Sequence, residues 1–589
     1  MVSDQLKNIA TKRYRISIFE KVANTVTAFS LTERVVFFVI ALVFAGSSFV
    51  LLSNLSHALT VPVPAPGGTL SEGIVGIPRF INPLLAISDA DRDLTTLVYS
   101  GLLKVSSDGT LVPDLAESYD ISDDGLTYTF HLRKNAVFHD QTPVTSDDII
   151  FTIKKAQDPN LKSPKRAGWE GVVASKIDEH TLTLSLAQAY PPFLENTTLG
   201  ILPSHIWQQV ETEQFTFSQY NIEPVGSGPY RVKNIQRSSG GIPSSYTLIP
   251  FQDYTLEEPY IRKIIFTFYQ NEDAAIEALQ KKEIHSLSSV SPYQARALSS
   301  LGIKVERVAL PRIFAVFFNQ NDVAAFTHSE VRVALDEALD RERIVEEVLS
   351  GYGVPIFGPL PHSLFGETLP HENATSSDAR IRAARDILER NGWKPNEEDG
   401  VMEQTIKKQK VRLEFSIATS NTEELKAAAQ IIKENWEAIG AKVTLAFFDT
   451  GDLSQNIIRP RDFDTLFFGE IVGRDLDLFA FWHSSQRNDP GLNVALYANI
   501  TTDKLLEKAR LSSSRSERMD IYREFAKELD KDVPAAFIYS PDFIYVVPPE
   551  IKGVNLSAVA IPSDRFLNIN EWYIETDRIW HLFSENNSL

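Results

Sequence analysis

The chain has no cysteine among its 589 residues. Disulfides, thiolate nucleophiles and cysteine-ligated zinc are therefore excluded, as is membrane attachment through a lipid-modified cysteine. An excess of positive charge is also missing. Lysine and arginine total 58 against 77 acidic residues, a net charge of −19. Nucleic-acid binding takes much of its affinity from cations against phosphate, so this balance opposes it. Self-repulsion of the same sign suits a dispersed, soluble domain. Common catalytic signatures are absent too: there is no Gly-x-Ser-x-Gly, no phosphate-cradling glycine loop followed by lysine, and no His-Glu-x-x-His. No enzyme is expected, and no cofactor is implied.

What is present is the mix of a folded protein, 43% hydrophobic and 23% charged. The length exceeds what one core supports, so two or more packing units are expected. One uncharged apolar run stands out. Residues 35–52 read VVFFVIALVFAGSSFVLL, long enough to span a bilayer as a helix and without a polar stripe beyond Ser47 and Ser48. Upstream lie Lys7, Lys12, Arg13, Arg15, Lys21 and Arg34 against Asp4, Glu20 and Glu33. The positive-inside tendency keeps that 1–34 stub in the cytoplasm and places the rest of the chain outside. Ser56-His57-Ala58 has the form of a processing site, but the long stub favours an uncleaved signal anchor. Residues 53–68, containing VPVPAPGG, read as a Pro/Gly spacer.

Beyond the spacer, strand-like and helix-like segments alternate, which argues an α/β fold. Val411, Leu413, Phe415 and Ile417 alternate with polar residues as a half-buried strand does. Asn421 and Glu424 have capping-box spacing, and Leu425, Ala428, Ala429, Ile432, Trp436 and Ile439 follow along one helical face. Gly440 stops the helix, and Val443, Leu445 and Phe447 alternate again. The spacing predicts a βαβ crossover and hence parallel strands. A helix is expected from a Thr327–Glu330 cap to Gly351, another over 380–390, a strand over 264–269 and a helix over 272–282. Residues 112–190 are richer in short strands, with TYTFHL at 127–132 and TLTLSL at 181–186.

These segments carry a resemblance. Residues 111–155 contain Pro113, Leu115, Ala116, Ser118, Asp124, Gly125, Tyr128, Phe130, Leu132, Arg133, Phe138, His139, Asp140, Asp147 and Asp148 in order. EPVGSGPYRV follows at 223–232, an Ala-Leu-x-x-Ala-x-Asp-Arg helix within 331–361, and DVPAAFIYSP at 532–541. The chain resembles the peptide- and nickel-binding family 5 of extracytoplasmic solute-binding proteins of ABC importers, over roughly residues 69–575. Gln141 stands where that family has glycine, and Lys282 and His285 depart from its Gly-Glu-Ile-Asp. The resemblance implies a two-lobed periplasmic-binding-protein-like clamp with an extra third subdomain, behind one transmembrane helix. Lobe I would comprise 69–108, 222–318 and 540–589, the additional subdomain 109–221, and lobe II 319–539. It implies capture of a peptide between the lobes, hinge closure, and delivery by a monomer to permease and ATPase subunits. Nickel chelates, heme or oligosaccharides are the alternative solutes, and a membrane-anchored ligand sensor the alternative role.

His131 and His139 lie eight residues apart, which is not a metal-ligand spacing, so no metal site is expected. Asp147-Asp148 reads as a helix N-terminus rather than a catalytic pair. Ligand-contact candidates come from segments matching the family's cleft. Arg79, Phe80 and Asn82 lie in GIPRFINP, and Phe317 and Asn319 end IFAVFFN. In LFFGEIVGRDLDLFAFWHSS (466–485), Asp475 and Asp477 match an Asp-Pro-Asp motif, with Leu476 in place of proline. Glu470 is the acid nearest the position where peptide-binding members pair an aspartate with the ligand's α-ammonium. Trp482 and Tyr497 could stack on ligand side chains, although core packing is the commoner fate of an aromatic.

Overall fold

The structure, a computed structural model, describes residues 25–361, 376–474, 477–489, 491–512 and 514–580. Two compact units emerge: residues 1–65 with 575–589, and residues 66–574.

In the first unit, helix Leu31–Leu59 is capped by Ser30, whose backbone N–H donates to Glu33 Oε2 at 2.8 Å. Its apolar stretch Leu31–Leu55 is unburied among the described residues and is long enough to cross a membrane. The helix extends beyond the expected 35–52 because capping and continued apolar sequence carry it to Leu59. The Pro/Gly stretch is not a free spacer. Thr60–Ala65 pairs antiparallel with Glu575–Trp580, from Thr60 opposite Trp580 to Ala65 opposite Glu575. Arg578 fixes the ribbon by donating from Nε to Thr60 Oγ1 and from Nη2 to Thr60 O, both at 2.9 Å. A two-stranded ribbon has only edges, so Pro62 and Pro64 cost it no ladder bond a central strand would need.

The second unit is built on two sheets sharing one strand, Ala535–Val546. The first sheet runs Tyr230–Arg237, Pro243–Pro250, Ile261–Tyr269, Gly67–Val75, Ser286–Ser288, then the shared strand, with Val305–Ala309 also paired to it. The second continues through Arg312–Phe318, Thr465–Ile471, Glu414–Ser420 and Lys442–Phe448. Pro541 marks the changeover. Residues 535–539 pair with Arg312–Phe318, and 542–546 pair with Val305–Ala309. A separate four-stranded sheet of Ala116–Ile121, Thr127–Leu132, Thr181–Ser185 and Val173–Asp178 lies outside both.

The βαβ crossover is present. Glu414–Ser420 and Lys442–Phe448 are parallel neighbours joined by helix Glu423–Ala438. Its cap falls one residue late, on Thr422, because the strand continues through Ser420 and leaves Asn421 to bond Asp449. The helix expected over 327–351 is two helices, Ser329–Glu337 and Arg341–Leu349. Asp340 breaks it by accepting from the Arg343 N–H at 3.1 Å, a new N-cap. Gln141 and Lys282 take positive φ values of 72° and 62°, the backbone a glycine would adopt freely.

One buried charge cluster ties distant segments of the first sheet's body together. The Arg565 guanidinium donates to Glu72 Oε1 at 2.7 Å and to Asp93 Oδ1 at 2.8 Å, and all three side chains are fully buried. Tyr545 Oη and Ser286 Oγ satisfy the other Glu72 oxygen at 2.9 and 3.2 Å. Removing the cation leaves two carboxylates buried without compensation. Arg565→Met is expected to destabilise the fold by about 3–5 kcal/mol in urea unfolding. Adding Glu72→Gln and Asp93→Asn should restore part of that loss; no recovery would mean that the lost guanidinium packing dominates.

Candidate functional site

Within the second unit, a loop that follows strand Thr465–Ile471 touches segments distant in sequence. Arg474 reaches from this loop to the segment after the shared strand, with Nη2 2.5 Å from Asp564 Oδ2 and Nε donating to Ala558 O at 3.0 Å. Asp564 is held in place by the Ala560 and Ile561 N–H groups, each at 2.9 Å. Three residues on, Asp477 accepts from Arg510 Nη2 at 2.5 Å and from Tyr190 Oη at 3.0 Å. The Arg510 guanidinium also lies over the Phe479 and Tyr190 rings, at 3.9 and 5.0 Å. Tyr190 follows the four-stranded sheet in sequence, so the loop engages both that region and the C-terminal segment.

Beside Arg474 opens a cavity of about 400 Å³, within the range of pockets that enclose a small ligand. One wall is helix Asp89–Val98 and its end, contributing Arg92, Thr95 and Tyr99; another carries Lys165, Trp169 and Asn196. Thr95 Oγ1 and Tyr99 Oη are buried without a hydrogen-bond partner. Burial pushes the Asp114 carboxyl up to about 6, against the pull of Lys104. Burial likewise raises the Tyr99 and Tyr254 phenols. The Lys165 ammonium is lowered by burial first and by Arg92 second, with Asp564 opposing. Lys165 lines the cavity and keeps part of its surface exposed.

The Gly-Ser-Gly-Pro-Tyr turn positions this wall. A Cβ at Gly226 would fall 2.0 Å from Val98 O, and one at Gly228 2.6 Å from Val98 C, so only glycine lets the turn sit against the helix end beside Tyr99. His139 clamps the same turn. The Gly226 N–H reaches its Nδ1 at 3.4 Å, so Nε2 carries the proton and donates to Gly228 O at 3.1 Å.

None of the expected contact residues among those described lines this cavity. Arg79 is exposed, and the Arg79 and Phe80 N–H groups donate to Asp91 Oδ1 at 2.6 and 2.7 Å. Asn82 is buried, donating to Asn221 Oδ1 and accepting from the Leu84 N–H. Asn319 directs its amide to Phe463 O at 2.8 Å and to Asp322. Phe317, Trp482 and Tyr497 pack in one hydrophobic core, and Tyr497 Oη donates to Asp532 at 2.7 Å. Glu470 faces that same core opposite Ile313; burial raises its carboxyl well above the ordinary range, and Oε1 has no partner. Asp477 is the one that joins a contact between regions, and Asp475 lies outside the described residues. Among the described residues no cluster of three metal-ligating side chains occurs.

Sequence reasoning missed Arg92, Lys165, Tyr99 and Arg474. Arg474 was adjacent to a motif that had been singled out, but Arg92 sits in DADRDL, which reads as an ordinary solvated helix turn.

Comparison with known proteins follows the same outline. Residues 110–491 match the family described as bacterial extracellular solute-binding proteins, family 5 Middle. The oligopeptide-binding protein AppA of Bacillus subtilis is 26% identical over 548 residues, covering 92% of this chain and 97% of that protein. Its structure in complex with a nonapeptide aligns with a TM-score of 0.67 at 25% identity, covering 87% of this chain and all of that one. NikZ from Campylobacter jejuni, in complex with Ni(L-His), shares the fold at a TM-score of 0.66 and 24% identity, covering 86% and 99%.

Two outcomes are expected here. His139 is held neutral by burial, its pKa lowered to about 4 from an unfolded value near 6.5. The unfolded chain therefore gains a proton that the folded one lacks as pH falls through that window. About 3 kcal/mol of stability, complete above pH 6.5, should be lost by pH 4. His139→Gln should flatten that slope in urea titrations at pH 7 and 4; an unchanged slope would assign the effect to other groups. Arg474→Ala combined with Asp477→Asn should enlarge the radius of gyration in solution scattering, and an unaltered value would show that these contacts do not hold the segments they join together.

Proposed function

The chain belongs to the bacterial extracellular solute-binding proteins of family 5, and from that membership we propose a membrane-tethered clamp that captures peptides and hands them to an ABC permease. Members of this family bind solutes for ABC importers outside the cytoplasm. The observation that carries the reading for this chain is the cavity beside the Arg474–Asp564 bridge. A solute enclosed there would lie beside Arg474, and hinge motion about the shared strand would admit and release it. The changeover at Pro541 supports a hinge at that point, since proline supplies no N–H to stiffen the ladder.

Lobe I is proposed as 69–108, 222–318 and the chain from 540, the additional subdomain as 109–221, and lobe II as 319–539. Peptide is favoured as the solute because AppA of Bacillus subtilis and the dipeptide-binding protein of Escherichia coli are named for peptides. A metal chelate is the second reading, favoured by the shared fold of NikZ with Ni(L-His). The protein acts as a monomer and turns nothing over. Helix Leu31–Leu55 anchors it, with the basic stub inside and the clamp in the periplasm or at the cell surface.

Mass spectrometry of whatever the full-length chain releases on denaturation, after purification in detergent, tests the solute. Peptide masses are expected, and a nickel complex or a sugar in their place would overturn the peptide reading. Alkaline carbonate extraction tests the anchor: the chain should stay with the membranes, and its release would point to cleavage of the helix.

A further inference from the structure

The cavity has more cations than its own acids can use. Arg92, Lys165 and Arg474 all line it, with Arg92 close enough to act on Lys165 and Asp564 as the counter-charge to Lys165 and Arg474. Asp564 is already taken by Arg474 and by two backbone N–H groups. Asp114, which also lines the cavity, accepts from Thr255 Oγ1 at 3.1 Å and feels Lys104 and Arg133. Glu195 also lines the cavity and is itself engaged. Among the described residues Arg92, by contrast, has only Asp89 at 3.9 Å, a solvated pair one turn away, which is worth little. Among the described residues no carboxylate lies within ion-pair distance of the Lys165 ammonium.

The neutral groups tell the same way. Thr95 Oγ1 and Tyr99 Oη are hydroxyls without partners on the same helix as Arg92, and Tyr99 is almost fully buried. A hydroxyl in that position can donate to an anion, and leaving it unpaired costs free energy that a ligand oxygen would recover. The acid expected to meet a ligand ammonium supplies nothing here, because Glu470 faces a hydrophobic core and does not line the cavity.

We propose that this cavity is an anion site, and that the solute it takes presents a carboxylate held by Arg92 and Lys165 and hydrogen-bonded by Thr95 and Tyr99. The inference rests on the reading that the solute sits in this cavity. For a peptide it assigns the C-terminal carboxylate, not the α-ammonium, as the recognised end. Charge-assisted bonds of this kind are the strong ones, and Lys165, destabilised as a cation by burial and by Arg92, gains most from an incoming anion.

The test is calorimetry on the full-length chain in detergent with trialanine, trialanine amide and N-acetyl-trialanine, and with succinate as a non-peptide acid. Trialanine is expected to bind, amidation to weaken binding more than tenfold, and N-acetylation to change it less than threefold. Arg92→Gln with Lys165→Gln should bring the acid down to the level of the amide while the thermal melt stays in place. If the amide binds as well as the acid, or acetylation is the change that abolishes binding, the carboxylate assignment is wrong although peptide capture stands. If succinate binds, the double variant loses it and no peptide binds, the peptide reading falls and the anion site stands. Binding of none of the four overturns the anion site.

Discussion

Strand Ala535–Val546 hydrogen-bonds into both sheets of the second unit, and the placement of the other segments depends on it. Its first half closes the sheet containing Arg312–Phe318, and its second half closes the sheet containing Gly67–Val75. Pro541 sits between the halves, where Ser540 Oγ donates to Leu310 O and the Leu310 N–H to Pro541 O. Two crossings of the chain, at 309–312 and at 540–542, therefore lie side by side. Two adjacent extended segments thus join the two sheets, and the proposed hinge motion rests on that arrangement.

A sheet assembled from residues near 70, 265, 307 and 545 needs something to hold its distant parts. Arg565 does so by bonding Glu72 and Asp93 in a fully buried site. Such a cluster is weak as a source of net stability, because two carboxylates and a guanidinium lose their hydration. It is strong as a specifier, since any arrangement that leaves one member unpaired is costly. The same cluster fixes helix Asp89–Val98, whose other face carries Arg92, Thr95 and Tyr99 into the cavity. The glycines of the 226–228 turn and the neutral His139 hold the end of that helix from the other side. Structural pins and cavity-lining groups thus share one helix.

The family resemblance and the site chemistry point in partly different directions. Relatives are named for peptides, and the sequence match to their Asp-Pro-Asp loop had drawn attention to acids as ligand contacts. In this chain the loop's described acid, Asp477, is bound to Arg510 and Tyr190. What the loop offers the cavity is Arg474, a cation. A fold shared across a family fixes where a solute binds far better than which one, because the fold depends on backbone and core while selectivity depends on a few side chains at the cavity wall.

The sequence by itself determined the elements whose signal is local. Period-two and helical patterns located the crossover, the strands read at 127–132 and 181–186, and the long apolar helix, because each depends on neighbours within a turn or a strand. The crossover, read at 411–448, is found at 414–448 because Val411 belongs to the hairpin strand Gln409–Arg412. Ordered motif blocks determined the family. The ribbon between residues 60–65 and 575–580, the division of the 329–349 helix at Asp340 and the shared strand were decided by tertiary structure, since each depends on a partner far along the chain or on a cap competing with helix continuation. The same reason explains the site. Asn82, Asn319 and Glu470 carried the right chemistry in the right segments, yet folding turned their side chains to internal partners or into a core. Arg92 and Lys165, unremarkable in their own stretches, became neighbours only when a helix and a loop 73 residues apart in number closed on the same cavity. Electrostatic convergence is a property of positions in space, and no local pattern encodes it.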